Sequence, residues 1–441
     1  MNLFRLLPAS LALGAAFAAP LAAAQSLVAL YDAARAYDAA YQSARAQYDA
    51  NLARAEQARS GILPSVGVTA GASQSRFEIN NPEAARTFGT QNLGVSATQP
   101  LYRPANWAAW EQAKKQMVAA QAQLVSAEQD LVLRVSQAYF DVLSAQDSLT
   151  FVRAQKAAVA EQLASAKRNF EVGTATITDT REAQARYDLV IAQEIAAEND
   201  LRVKKLALDT LVGRTDTAPQ LLNVPAGLPA LQPDDVNTWV VQSESEHPGI
   251  QQARLALDVA LLETEKARAA HLPVVDATAS YGVTRNQNGS PTSGLNYRTN
   301  VATIGVSVSV PLFAGFALQN RVKETLALED KARSDLEATR RNVAQATRTA
   351  FFGVLSGQGQ VKALEAAEAS SQSALDANKL GYQVGVRINI DVLNAQSQLY
   401  QTKRDLAKAR YDVLVGGLRL RQANGVLKPD DLGSINSLLT P

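Results

Sequence analysis

The fold of this chain is decided by residues 382–394, which read Tyr-Gln-Val-Gly-Val-Arg-Ile-Asn-Ile-Asp-Val-Leu-Asn. A counterpart, Phe-Glu-Val-Gly-Thr-Ala-Thr-Ile-Thr-Asp-Thr-Arg-Glu, stands earlier in the chain at residues 170–182. In both copies a long helical pattern ends at an aromatic-x-Val-Gly turn, where Gly173 and Gly385 suit the left-handed residue that closes a helix. The two stretches therefore predict two helix hairpins with similar tips.

An aspartate follows each turn at the same position, Asp179 in the first copy and Asp391 in the second. Each stands where the next helix favours a side-chain acceptor for its free N–H groups. The stretch from Asp179 to Glu182, Asp-Thr-Arg-Glu, also has the spacing of a capping box. Helix capping alone is therefore one interpretation of both aspartates, and it is compatible with a further role.

Composition excludes several classes of protein. The chain has 441 residues and a net charge of +1, so it carries no global field that would attract nucleic acid. It has no cysteine, which excludes disulfides and thiolate chemistry, and its two histidines, His247 and His271, predict no zinc site. The sequence contains no phosphate loop and no recognisable nucleophile–base set. We therefore expect neither a cofactor nor an enzyme.

The N-terminus predicts export. Residues 1–24 combine Arg5, an apolar stretch and the small residues Ala22-Ala23-Ala24, as a secretory signal peptide does. No cysteine follows that would carry a lipid anchor, and no later apolar run reaches the ~20 residues of a spanning helix. The exported protein is therefore expected either to remain in an aqueous compartment or to enter a membrane as strands.

Four short segments alternate between apolar and small polar residues, at about 65–74, 91–99, 274–284 and 301–310. In the first segment Val66 and Val68 lie on one face, and Gly67 and Thr69 lie on the other. This alternation with a period of two residues is typical of a β-strand with two different faces. The segments form two hairpins. Residues 75–90 are expected to be a polar loop, and Pro100 is expected to end the second strand.

Helical patterns fill most of the remaining chain, and their order repeats. The first unit, 25–213, has a helix, two strands, a helix of about 65 residues from Pro104, and a further helix. A proline-rich linker, 214–247, separates it from a second unit, 248–425, with the same order, and a tail occupies 426–441. A helix of that length extends for about 100 Å and needs lateral partners.

Four strands cannot form a closed barrel, and the two edges of such a sheet would leave N–H and C=O groups unpaired in lipid. The strands approach the ~9–11 residues that a tilted membrane strand requires. If they enter a membrane, several copies must complete one barrel. Aromatic residues near the strand ends suit a membrane interface. They are Phe77, Phe88, Tyr102, Tyr281, Tyr297 and Phe313.

The duplicated order of elements, the Leu63-Pro64 and Leu272-Pro273 pairs and the Pro100-Leu101 and Pro311-Leu312 pairs resemble the TolC family of outer-membrane efflux and type I secretion channels. The turn at 382–394 adds to the resemblance, which covers about residues 26–425. It implies a homotrimer with a 12-stranded β-barrel in the outer-membrane lipid and a long α-helical barrel in the periplasm. It also implies a periplasmic adaptor (membrane fusion) protein and an inner-membrane pump of the RND, ABC or MFS type as partners.

The resemblance also assigns roles by position. Asp391 corresponds to an aspartate ring at the narrowest point of the channel, and Asn394 stands where a second aspartate is usual. An Arg387–Asp179 ion pair is implied among the residues that hold the coils closed. That closing set is Thr178, Asp179, Tyr382 and Arg387. The tips that would dock the adaptor carry Val172, Gly173, Val384 and Gly385.

The alternative to a channel is a soluble periplasmic coiled-coil adaptor or scaffold protein. It predicts a mature protein that stays in solution without detergent. The paired alternating strands, each bounded by proline, favour the channel.

Overall fold

The computed structural model describes residues 25–80, 83–223, 229–290 and 294–440, so the predicted signal peptide and Pro225 of the linker lie outside the described residues. The first half contains α1 (Leu27–Tyr37), α2 (Ala39–Arg59), β1 (Ser65–Asn80), β2 (Glu83–Tyr102), α3 (Pro104–Glu171) and α4 (Ile177–Val212). The second half contains α5 (Val236–Glu246), α6 (Pro248–Ala269), β3 (Val274–Gln287), β4 (Tyr297–Ser309), α7 (Ala317–Gln383), α8 (Asn389–Asn424) and α9 (Asp431–Asn436). The predicted duplication is confirmed.

The two long helices are α3 with 68 residues and α7 with 67, each about 100 Å long at 1.5 Å per residue. Each packs along the helix that follows it, and α3 also packs along α8. A helix of this length is stabilised by such lateral burial rather than by its own propensity.

The first predicted helix is in fact two, because the chain breaks at Asp38. The Asp38 carboxylate accepts a hydrogen bond from the Tyr41 amide at 2.8 Å and forms two hydrogen bonds with the Arg134 guanidinium at 2.9 and 3.0 Å. The buried carboxylate therefore caps α2 and ties it to α3.

The four strands form one antiparallel sheet in the order β1-β2-β3-β4. The register places Val68 opposite Val95 and Val95 opposite Tyr281, whereas the small polar residues lie in rows on the other face. Large apolar side chains such as Ile304 are therefore exposed on one face of a single copy. We call this the apolar face of the sheet.

Three expectations for the strands are wrong. Residues 75–80 and 83–90 continue β1 and β2, because backbone pairing persists whatever the polarity of the side chains. β2 passes through Pro100 to Tyr102, with a shift in register there in place of an end. Phe77, Phe88 and Tyr297 share the polar face, so they do not line a lipid-facing belt.

The main core lies at the middle of α3. Leu27, Leu30 and Tyr31 of α1 pack there with Tyr139 and Phe140 of α3. Tyr411 of α8 stacks on Phe140 at a ring-centroid distance of 5.6 Å, and Leu432 and Ile435 of α9 complete the cluster.

The linker and the C-terminal segment meet beside that core. The Asn223 amide donates to the Leu438 carbonyl at 2.9 Å, and the Thr440 amide donates to the Leu221 carbonyl at 2.7 Å. The middle of the helical region is therefore wrapped by segments that are distant in sequence.

No helix in the described ranges combines the length and the apolarity that crossing a membrane requires.

Candidate functional site: the tips of the two helix hairpins

Both hairpins turn in the same way. Val172 is the C-cap of α3 and Val384 is the C-cap of α7. The glycines that follow have positive φ angles, 77° at Gly173 and 80° at Gly385. Amides just past each turn return to a carbonyl in the last turn of the helix, at Asn169 in the first tip and at Gly381 in the second. A Cβ added at either positive-φ glycine would meet nothing within 4 Å. Glycine is therefore required for its backbone conformation and not for space.

In the first tip the helix starts earlier than predicted. Thr176, not Asp179, is the N-cap, and Asp179 occupies the third position of α4. The Thr176 hydroxyl accepts from the Asp179 amide at 3.2 Å, and the Asp179 carboxylate accepts from the Thr176 amide at 2.9 Å. The capping box is real, but it spans 176–179 and not the expected 179–182.

The second tip lacks this box. α8 begins at Asn389 after Ile388, whose side chain offers no acceptor, so Asp391 is at the third position and is not an N-cap. Its carboxylate lies 3.6 Å from the Arg387 guanidinium. A carboxylate in the first turn of a helix is also favoured by the helix dipole.

Arg387 therefore pairs with Asp391 on its own tip, and the ion pairs of the described residues do not include the expected one with Asp179. The Arg387 side chain lies over Gly381, where an added Cβ would approach Arg387 Cγ to 2.7 Å. Gly381 thus gives the arginine its position. Thr178 is exposed, and its hydroxyl has no hydrogen bond within the described ranges.

Polar contacts join the first hairpin to the second near the tips, and three of them involve a residue that the sequence singled out. Tyr382 accepts a hydrogen bond from Asn169 Nδ2 at 3.2 Å, and Asn394 Oδ1 accepts one from the Arg186 guanidinium at 2.7 Å. Between them, Asn389 Nδ2 donates to the Asp179 main-chain carbonyl at 3.2 Å. We call these three contacts the cross-hairpin contacts.

Asn389 is the member of the site that sequence reasoning missed. Its side chain is 0% exposed, and its Oδ1 also accepts from Gln162 of α3. Comparison of the two halves of the chain could have singled out Asn389, because the equivalent position in the first half is the apolar Ile177. A buried amide in place of an apolar side chain needs polar partners, and here it finds two.

Two of the cross-hairpin contacts, Asn169–Tyr382 and Asn389–Asp179, border a cleft of about 630 Å³ between the tips. Its lining includes Gln162, Asn169, Asp179, Tyr382, Arg387 and Asn389. The structure thus brings four of the six predicted closing and constriction residues to one region, since Asp391 lies beside Arg387 and the cleft holds Asp179, Tyr382 and Arg387.

The outer surface of the tips is apolar. Val172 and Val384, which the sequence singled out, are 72% and 66% exposed, and Val386 is 79% exposed. Ile177 and Ile388 add to this surface and were not predicted. Exposed apolar side chains clustered in this way are typical of a protein–protein contact surface.

No group of three or more His, Cys, Asp or Glu side chains in the described part of the chain has an arrangement that would hold a metal ion.

The fold and the paired tips define an outer-membrane channel protein with a long helical periplasmic part. The chain belongs to the outer membrane efflux protein family, whose model matches residues 17–214 and 239–426. The channel acts in efflux and type I secretion and is located in the cell outer membrane. The relatives are channel proteins rather than enzymes.

Individual relatives agree over nearly the whole chain. Outer membrane protein TolC of Vibrio cholerae is 35% identical over 417 residues, which cover 94% of each chain. The alkaline protease secretion protein AprF of Pseudomonas aeruginosa is 30% identical over 89% of this chain and 82% of its own. The crystal structure of the outer membrane protein VceC of Vibrio cholerae superposes with a TM-score of 0.76 at 21% identity, covering 90% of this chain and 96% of that one.

Proposed function

We propose that three copies of this chain close a common 12-stranded barrel in the outer membrane and a continuous helical tube in the periplasm. The observation that carries this proposal is the single four-stranded sheet, with β1 and β4 as its edges. Lipid offers no hydrogen bonds to an open edge, so neighbouring copies must pair β4 with β1. The small polar rows then face the lumen and the apolar face contacts lipid.

The mass of the detergent-extracted protein tests this closure. Light scattering, corrected for bound detergent, is expected to give the mass of three mature chains, each somewhat below the 47.1 kDa of the full 441-residue sequence because the predicted signal peptide is removed. A monodisperse single chain, or a mature protein that stays in solution without detergent, would refute the shared barrel.

We further propose that the hairpin tips are the gate of the channel. In the closed state the cross-hairpin contacts hold the tips together, and the Arg387–Asp391 pair fixes the conformation of the second tip. An exposed ion pair contributes only about 0–1 kcal/mol and a typical hydrogen bond about 1 kcal/mol. Contacts of this strength keep the tube closed, yet a docking protein can replace them.

The constriction is proposed to consist of Asp391 from each copy. Three carboxylates around one axis repel each other and attract cations. Asn394 replaces a second acidic ring, and its amide is already engaged by Arg186. A single acidic tier is therefore expected to bind divalent cations more weakly than two tiers would.

The partner of the tips is proposed to be a periplasmic adaptor protein that connects the channel to an inner-membrane pump of the RND, ABC or MFS type. The apolar surface around Val172, Val384 and Val386 supports a protein partner at this end. The secretion role in the name of the AprF relative supports protein export as one use, with the cargo chosen by the pump.

The five-part division, 1–24, 25–213, 214–247, 248–425 and 426–441, is also kept as a proposal. The repeated order of elements and the two separate matches to the family model support it.

A further inference from the structure

Two arginines lie on the apolar face of the sheet at the end that is farthest from the helices. Along β3 this face carries Val275, Ala277, Ala279, Tyr281 and Val283, and the next residue on the same face is Arg285. Arg298 of β4 is paired directly with Arg285 in the register, so both side chains leave the same face. On the other side of Arg285, Gln91 of β2 is its register partner.

Arg285 and Arg298 have no acidic partner in the described ranges. Arg298 Nε donates to Asn300 Oδ1 at 3.2 Å, and Arg285 takes part in none of the ion pairs or side-chain hydrogen bonds among the residues that the structure describes. The nearby Arg76 differs, because it pairs with Glu78. Like charges directly opposite each other on neighbouring strands destabilise a sheet. An anion held between the two guanidinium groups would reverse that effect.

The position of the pair along the strand indicates where the anion comes from. From Val275 to Arg285 the strand extends about 33 Å. With the usual tilt of ~40°, the pair lies roughly 25 Å above Val275 along the membrane normal, which matches the height of the apolar band of an outer-membrane barrel. The helices leave the sheet at the Val275 end, toward the periplasm. Arg285 and Arg298 therefore lie at the level of the outer headgroups.

We propose that Arg285 and Arg298, assisted by the Gln91 amide, bind the phosphate group of a phosphorylated lipid in the outer leaflet. The planar guanidinium donates two parallel hydrogen bonds to a phosphate, and its charge persists at every physiological pH. The apolar rows below, ending at Val283 and Leu93, supply the surface along which the acyl chains lie. The proposal rests on the barrel closure proposed above, since only a closed barrel presents this face to lipid.

The test measures lipid retained by the purified protein. Wild type and the double variant Arg285→Gln/Arg298→Gln are incorporated into phosphatidylcholine nanodiscs with or without lipid A carrying two phosphates, and are then re-extracted for native mass spectrometry. The double variant is expected to retain at least fivefold less lipid A, and Arg285→Lys/Arg298→Lys is expected to retain an intermediate amount. The matched control, Arg333→Gln/Arg341→Gln, removes two exposed arginines of α7 and is expected to behave as wild type.

Three results would overturn the proposal. One is retention of lipid A at the wild-type level by the double glutamine variant. Another is displacement of the lipid by 50 mM inorganic phosphate, which would identify a free-anion site. Loss of the three-chain mass in the double variant alone would instead assign the arginines to contacts between copies. Single-channel conductance of the same preparations separates these results from failure of the channel itself, because conductance is expected to remain at the wild-type value.

Discussion

Asn389 Nδ2 donates a 3.2 Å hydrogen bond to the main-chain carbonyl of Asp179, and this bond joins the first turn of α8 to the first turn of α4. Both residues are at tips that are far apart in sequence and equivalent in the internal repeat. Their contact is the centre of the proposed gate.

Asn389→Ala is expected to loosen the tips. The change leaves Gln162 and the Asp179 carbonyl without their partner, which costs about 1–3 kcal/mol when the groups are buried. The variant should show a higher basal single-channel conductance in planar bilayers. Asn378→Ala is the control, because in the described part of the chain the Asn378 amide bonds only to the Ala374 carbonyl of its own helix. Equal conductance in the two variants would remove Asn389 from the gate.

Asp391→Ala is expected to reduce block of the channel current by divalent cations. The carboxylate is the single acidic group proposed at the constriction, and removing it abolishes the attraction for a cation on the axis. Titration of the current with Mg²⁺ measures the effect. Asp376→Ala removes an exposed carboxylate of α7 whose one hydrogen-bond donor among the described residues is Gln372, and it should leave the block unchanged. Wild-type block in Asp391→Ala would show that the constriction lies elsewhere.

Tyr382→Phe combined with Arg387→Ala is expected to open the tips more than they are open in the wild-type channel. It removes the hydrogen bond from Asn169 and the ion pair with Asp391 while leaving the turn glycines intact. Conductance, and leakage of an antibiotic into cells that carry the variant, should both rise. Arg45→Ala with Tyr48→Phe makes the same chemical change on α2, away from the tips. A channel that stays closed would mean that these contacts do not hold the gate.

Asp38→Asn is expected to destabilise the protein by about 1 kcal/mol at pH 7, a modest value because Arg134 remains partly solvated. Hydrogen bonds from Arg134 hold the pKa of Asp38 below its ordinary value of 3.8. The pair therefore contributes stability that is fully present above the unfolded pKa and is lost as the pH falls through the lower folded pKa.

Melting temperatures of wild type and Asp38→Asn measured across a pH series provide the check. The difference should be constant above about pH 5 and should shrink below the unfolded pKa. Asparagine still caps α2, so the cap does not contribute to the difference. A difference that persists unchanged at the acid end would show that the charge of Asp38 is not its source.

The sequence by itself determined the elements that depend on neighbours along the chain. The periodicity of 104–170, the positive-φ glycines Gly173 and Gly385 and the alternation of 65–74 are local features, and the structure reproduces all of them. It also gave the internal duplication, because repeated spacing is visible without any contact. The ends of the strands could not be predicted from the sequence, because the pairing of residues 83–90 is set by the partner strand and not by the side chains.

Only the tertiary structure decided which polar groups meet at the tips. Tyr382 accepts from Asn169, and Asn389 reaches the Asp179 carbonyl, because the rotation of the second hairpin against α3 and α4 fixes these distances. That rotation follows from packing along the whole length of α3, through the core around Phe140 and Tyr411. Spacing within one segment carries no information about it, which is why the helices were predictable and their contacts were not.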